Sequence, residues 1–293
     1  MKHIMTQSGI RWRPRLLRHA LLGVCLLIAF CSITVPDAQA ASYATVSVRQ
    51  GGREVLGGQS YLIDGVTYVP FRAFCELHGA GEIGWDAATR TAYAKTKDGV
   101  LIYAHADSAL YIQYGERYFY TATPVRIVND RVYIPIRPLA RCFGVSVTWN
   151  AVDRSVTLGA AGASPRADVG VYASDELYWL ARIIQAEAGG EPLKGKIAVG
   201  NVVLNRARSS DFPNTVYGVI FDREYGVQFT PTANGSIYCE PSLESVIAAR
   251  LCLEGYSLSN EILYFFNPSI ASSFWIAQNR PYAFRIGKHV FYR

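Results

Sequence analysis

The spacing of apolar positions changes three times along this chain. Ala20 to Val35 is an unbroken apolar run. Between Tyr61 and Trp149 the apolar stretches are short and broken by the turn signals Asp64-Gly65 and Asn129-Asp130, a pattern that predicts hairpins. From Ser174 the spacing becomes helical, with Leu177, Leu180, Ile183 and Ile184 on one stripe.

The hairpin region repeats itself. Tyr68-Val-Pro70-Phe-Arg72 returns as Tyr133-Ile-Pro135-Ile-Arg137, and Trp85-Asp86 returns as Trp149-Asn150. Such self-similarity marks a duplicated supersecondary unit. In each copy a hairpin leads into a short helix, with Pro70 or Pro135 at its first position and Gly79 or Gly144 just past its end. Gly81–Trp85 and Val145–Trp149 read as strands, turned back at Asp86–Arg90 and Asn150–Arg154. The unit is therefore hairpin, helix, hairpin. Small residues without apolar periodicity follow and predict a linker over 159–173.

The next segment, 174–188, opens with Ser174 as N-cap and two acids, Asp175 and Glu176, in its first turn. At about 100° per residue, Glu187 falls inside the apolar stripe. Desolvation there raises a carboxyl pKa, the property a general acid needs near neutral pH. The same spacing also allows a helix that frays before Gly189-Gly190 and leaves Glu187 in water. Glu191 reads as a second acid or as a cap for the helix that begins near Leu193. In that helix Ala198 and Gly200 admit close packing, and Asn201 and Asn205 share a face suited to buried hydrogen bonds.

Charge changes the picture less than it first suggests. The chain has 29 Lys+Arg against 23 Asp+Glu, a formal +6, but Lys2, Arg11, Arg13, Arg15 and Arg18 face only Asp37 in the first forty residues. From Val171 onward bases and acids balance, so a nucleic-acid partner loses its electrostatic basis. The basic start, the apolar run and Ala38-Gln39-Ala40 predict a cleaved export signal over 1–40. The run is shorter than the ~20 residues that span a bilayer. Membrane contact is thus expected only through that signal, and the mature chain outside the cytoplasm.

Beyond the leader lie Cys75, Cys142, Cys239 and Cys252. A Cys75–Cys142 bond is geometrically open, whereas a helix between Cys239 and Cys252 would keep those two apart. A zinc peptidase or amidase needs several histidines, but the C-terminal segment holds only His289. Cys239 with His289 sits in no recognisable nucleophile motif. No metal or other cofactor is expected.

The doubled Tyr-Val/Ile-Pro-x-Arg and Trp-Asp/Asn motifs make residues 45–158 resemble the copper amine oxidase-like N-terminal domain of bacterial surface proteins. Copper itself would need several imidazoles or thiolates together, and the region holds only His78 and His105. The resemblance implies an accessory module for a wall polymer or a protein partner. Arg72 and Arg137 are expected to form structural salt bridges, with contact to an anionic wall polymer as the alternative.

Further on, Ile184-Gln-Ala-Glu187-Ala-Gly-Gly-Glu191-Pro, Gly195 to Arg206, Asp211-Phe-Pro-Asn-Thr215, Gln228-Phe-Thr230, Leu263-Tyr-Phe-Phe-Asn267-Pro268 and Ile286-Gly-Lys-His289-Val-Phe-Tyr292 resemble the cell wall hydrolase family of spore cortex-lytic enzymes (SleB type), in order through 177–293. The resemblance implies a lysozyme-like α+β catalytic fold over 174–293. It also implies cleavage of peptidoglycan glycan strands by a lytic transglycosylase, with Glu187 as the catalytic acid. A sugar groove needs aromatic faces and amides, which Gln228, Thr230, Tyr264, Asn267 and Trp275 supply, with Glu191 as a further contact. Two alternatives stay open. A simple hydrolase would need a second carboxylate about 5–9.5 Å away, with Glu191, Asp222, Glu224 and Glu240 as candidates. A non-catalytic glycan-binding or spore-coat protein would need none. Whether the target is spore cortex or vegetative wall is left open by the residues.

Overall fold

The computed structural model describes residues 43–106, 110–162 and 172–293. The expected export signal lies outside the described residues, as does most of the expected linker.

The chain first forms β1 (Ala44–Thr45), β2 (Val48–Gln50), β3 (Arg53–Val55), β4 (Tyr61–Ile63), β5 (Val66–Pro70), α1 (Phe71–Leu77), β6 (Ile83–Asp86) and β7 (Thr91–Lys95). Three further strands, β8 (Leu101–His105), β9 (Tyr111–Tyr114) and β10 (Arg117–Tyr120), precede the second copy: β11 (Arg126–Val128), β12 (Arg131–Pro135), α2 (Ile136–Cys142), β13 (Val145–Asn150) and β14 (Ser155–Ala161). Hairpin, helix, hairpin thus occurs twice. The turns are tight because both central residues adopt positive φ: Asp64 (51°) and Gly65 (78°) in one copy, Asn129 (48°) and Asp130 (58°) in the other. That geometry matches strand twist, and Asn, Asp and Gly adopt it at least cost. Gly79 and Gly144 (φ 73° and 64°) leave the helices as expected. Pro70 and Pro135 close the preceding strands and act as N-caps, one position before the helices begin. β14 runs to Ala161, three residues into the segment expected to be linker.

The copies meet through β5 and β12, which pair antiparallel with Val69 opposite Ile134. These are equivalent positions, so the pair lies on a pseudo-two-fold axis at the centre of a five-stranded sheet ordered β1-β4-β5-β12-β11. Outside that sheet the symmetry ends. β6-β7 is extended by β8, β9 and β10, whereas β13-β14 is extended by the N-terminal β2 and β3, with β14 parallel to β2. Each added set covers a hairpin edge that would otherwise be unpaired.

The second part is mostly helical: α3 (Ser174–Ala188), α4 (Leu193–Arg208), α5 (Val216–Phe221), α6 (Pro231–Asn234) and α7 (Leu243–Leu253), followed by β15 (Tyr264–Phe266), α8 (Trp275–Asn279), β16 (Tyr282–Ile286) and β17 (His289–Tyr292). The fold class is α+β. Ser174 is the first helical residue rather than the cap, and Glu176 reaches back to accept from the Ala173 amide at 3.2 Å. α4 is buried along nearly its whole length. A Cβ at Gly200 would lie 2.8 Å from Cys252 Sγ and 2.9 Å from Ile184 Cδ1, so its absence lets α3, α4 and α7 converge. Asn201 and Asn205 hold the chain after α7. Asn201 accepts from the Leu258 amide and donates to the Tyr256 carbonyl, and Asn205 donates to the carbonyls of Ser259 and Ile262.

Residues 43–293 form one compact unit. β10 lies against α7, where Arg117 donates to Glu254 at 2.8 Å, Arg250 pairs with Glu116 at 3.2 Å and Tyr120 stacks on Tyr256 at 4.1 Å. All four cysteines of this unit are free.

Candidate active site

The C-terminal helix stripe places Leu180, Ile183 and Ile184 fully inside, and Glu187 follows one turn later, partly buried. Its pKa is raised to about 7, with burial as the sole cause. No neighbouring carboxylate, cation or hydrogen bond among the described residues contributes to that shift.

The helix that carries it is held from several sides. Gln185 Oε1 accepts from the Ser242 amide at 3.0 Å and from Ser245 Oγ at 2.9 Å, tying α3 to the start of α7. Arg182 pairs with Glu240 at 2.7 Å and lies over the Tyr178 ring at 3.9 Å. Trp179 meets Tyr217 and Phe221 of α5 edge-on. These contacts fix the azimuth of α3 and hence the direction of Glu187.

Glu191 is 8% exposed, and its Oε2 accepts from the Lys288 amide at 3.1 Å. It joins the α3–α4 loop to the β16–β17 turn, where Gly287 has φ 56° and a Cβ would lie 1.8 Å from that same oxygen. The buried Lys196 ammonium donates to the Glu191 carbonyl and pairs with Glu244 at 2.7 Å. His289, beyond the turn, is buried with its pKa lowered by desolvation.

Of the other residues singled out by sequence, Gln228 and Thr230 flank the buried Phe229, whose ring lies 6.5 Å from Phe265 of β15. Gln228 donates weakly to the Gly226 carbonyl at 3.4 Å, and Thr230 is exposed at the start of α6. Asn267 Oδ1 accepts from the Ser269 amide at 3.0 Å and shapes the turn after β15. Tyr264 and the half-exposed Trp275 meet through Arg280, whose guanidinium lies 4.6 Å from the first ring and 5.4 Å from the second. Arg280 was not singled out by sequence, nor was Arg206. The latter is buried among Phe212, Phe229 and Tyr264, and donates to the Leu263 carbonyl at 2.7 Å. Neither has a periodic or motif signal, because cation–π pairing is set by tertiary approach.

Among the alternative second acids, Glu240 is engaged by Arg182, Asp222 accepts from the Glu224 amide and Glu224 is exposed. In the N-terminal part His78, at the end of α1, packs against Phe74 and Phe143, whereas His105, on β8, bonds Thr91 Oγ1 at 2.7 Å. Arg72 and Arg137 do not make matching salt bridges. They donate to the carbonyls of Ile83 and Val147, and only Arg72 has an ion pair, to Glu76 at 3.8 Å.

Fold and site together define an α+β protein in which a duplicated β-rich part is joined to a helical part that carries Glu187, a carboxyl whose pKa burial raises. Residues 190–292 match the family model described as Cell Wall Hydrolase, and residues 50–158 match that described as Copper amine oxidase N-terminal domain. The first match starts three residues after Glu187. The chain belongs to the cell wall hydrolase family: it is 30% identical over 110 residues to the cell wall hydrolase CwlJ of Oceanobacillus iheyensis and covers 77% of that protein. It is also 42% identical over 122 residues to a spore cortex-lytic enzyme of Bacillus subtilis, a match covering 42% of this chain and 39% of the relative. The chain thus spans about two fifths of the length of that relative. Among solved structures, the catalytic domain of a germination-specific lytic transglycosylase, SleB, from Bacillus anthracis is 38% identical, with a TM-score of 0.39, 43% of this chain covered and 100% of the other.

Proposed function

We propose that the C-terminal part is a lytic transglycosylase that cleaves the MurNAc–GlcNAc bond of peptidoglycan, with Glu187 as its one catalytic acid. The observation that carries this reading is a carboxyl raised to about 7 by burial alone. Such a group is about half protonated near neutral pH, against almost none for an ordinary carboxyl. It donates its proton to the glycosidic oxygen as the C1–O bond breaks. The resulting carboxylate then takes the proton of the muramic 6-hydroxyl, whose oxygen closes on C1 to form the 1,6-anhydro ring. The substrate's own N-acetyl group supports the developing positive charge, as in the substrate-assisted exceptions to the two-carboxylate scheme. Tyr264, Trp275 and Arg280 supply a stacking surface for sugar rings, and Gln228, Thr230 and Asn267 supply polar contacts near it. Glu191 acts from the adjoining loop, where it holds the β16–β17 turn.

The names of the relatives, spore cortex-lytic enzymes, favour cortex over vegetative wall as the target. That target lies outside the cytoplasm, consistent with residues 1–40 as an export signal. The working division of the chain is an accessory module over 45–158, a connection, and an enzyme over 174–293.

Mass spectrometry of muropeptides released from purified peptidoglycan tests the reading. The intact chain is expected to release anhydromuropeptides, and Glu187→Gln none. Unchanged release by the variant removes Glu187 from the mechanism. Reducing-end products without the anhydro ring establish a hydrolase instead, and no release by the parent chain leaves a glycan-binding protein.

A further inference from the structure

The duplicated part carries two grooves that the catalytic reading does not use. One, of 710 Å³, is lined by Arg72 at the start of α1 and by Trp85 and Arg90 of the β6–β7 hairpin. The other, of 660 Å³, is lined by Arg137, Trp149 and Arg154 at the equivalent positions of the second copy. The pseudo-two-fold axis through Val69 and Ile134 exchanges them. The β11–β12 hairpin forms the far wall of the first groove, and the β4–β5 hairpin forms the far wall of the second.

Packing does not account for what the two grooves keep. Trp85 and Trp149 are 40% and 36% exposed, and Arg90 and Arg154 are exposed. Core formation therefore places little demand on their identity, yet both copies retain the same tryptophan and both arginines, while the opposing wall has diverged from Asp130-Arg131 to Gly65-Val66. Arg90 and Arg154 hold φ of 51° and 52°, where a side chain costs about 1–2 kcal/mol relative to glycine. Arg72 and Arg137 are each anchored by one hydrogen bond to a strand carbonyl, which orients a planar fork with donors to spare. An indole beside guanidinium groups matches a ligand that carries sugar rings and carboxylates together. The first groove sets three arginines against Glu76 and Asp130, and the second holds two arginines and no acid.

We propose that these grooves are paired peptidoglycan-binding subsites, each receiving a sugar ring against its tryptophan and a carboxylate of the same polymer on its arginines. The choice of polymer rests on the proposed activity of the C-terminal part. Two equivalent sites suit a polymer of repeating units, because occupation of one raises the effective concentration at the other. The second groove, having no acid, is the tighter one.

The test is co-sedimentation of the full chain, carrying Glu187→Gln to prevent digestion, with peptidoglycan stripped of phosphate-containing wall polymers. Trp85→Ala is expected to weaken binding about threefold and Trp149→Ala about tenfold, with the double variant weaker than about thirtyfold. Binding by the double variant equal to the parent overturns the proposal. So does dependence on these residues that appears only with unstripped walls, since the ligand is then a phosphate polymer. If the tryptophan double variant fails to fold, Arg90→Gln with Arg154→Gln decides, and unchanged binding by that pair overturns the proposal. If the grooves bind as expected and the parent chain, with Glu187 intact, releases no anhydromuropeptides, this inference stands and the catalytic one falls.

Discussion

Glu187 stores free energy that the fold would gain by losing it. Its carboxyl ionises at about 7 in the folded chain against 4.5 for the ordinary group. Between those values the folded protein keeps a proton that the unfolded chain has released, so this residue's contribution to stability falls as pH rises through the window and is level above it. Glu187→Gln is neutral at every pH. It is expected to be more stable than the parent at about pH 8, by about 1–3 kcal/mol, with the difference vanishing near pH 4; urea unfolding at the two pH values measures it. Under the proposed function the same titration governs catalysis. As a proton donor Glu187 is lost above about 7, so kcat/KM is expected to fall tenfold per unit on the alkaline side. The residue was legible in the sequence because helical periodicity alone put a carboxylate among Leu180, Ile183 and Ile184. That burial alone among the described residues shifts it was not, since a salt bridge depends on what other elements bring near.

At the scale of elements, the loop after α3 and the β16–β17 turn form one clamp. Glu191 holds the Lys288 amide, and Lys196 holds the Glu191 carbonyl while pairing with Glu244 of α7. Gly287 is the close approach in this arrangement, with positive φ and no room for a Cβ beside the Glu191 carboxylate. Gly287→Ala is expected to cost about 2–3 kcal/mol through strain and the displaced hydrogen bond, read as a lowered urea midpoint with an unchanged slope. The extent of α3, to within one residue at its cap, and both repeated hairpins were readable from turn residues and periodicity, all local signals. The clamp was not, because its members lie almost a hundred residues apart and neither end carries a pattern.

For the whole molecule, the β-rich and helical parts are joined by a contact that is part charged and part aromatic. Glu254 has a side chain 5% exposed and depends on Arg117 for neutralisation. Arg117→Ala leaves a buried carboxylate uncompensated, a change that costs about 3–5 kcal/mol. The intact 43–293 unit is expected to unfold in one calorimetric transition, and Arg117→Ala in two, with the helical part melting first. A single unshifted transition in the variant would show that the contact does not couple the parts.

The sequence by itself determined the duplicated β-rich unit, the α+β class, the helix bearing Glu187 and the location of most of the net charge in the first forty residues, because each is written in local periodicity, turn chemistry or composition. Tertiary structure decided the rest. It paired Val69 with Ile134 and so set two equivalent grooves face to wall, directed Arg72 and Arg137 to strand carbonyls, engaged Glu191 with a distant turn, and drew Arg280 between Tyr264 and Trp275. Each of these depends on which surfaces meet in space, and spacing along one chain carries no record of that.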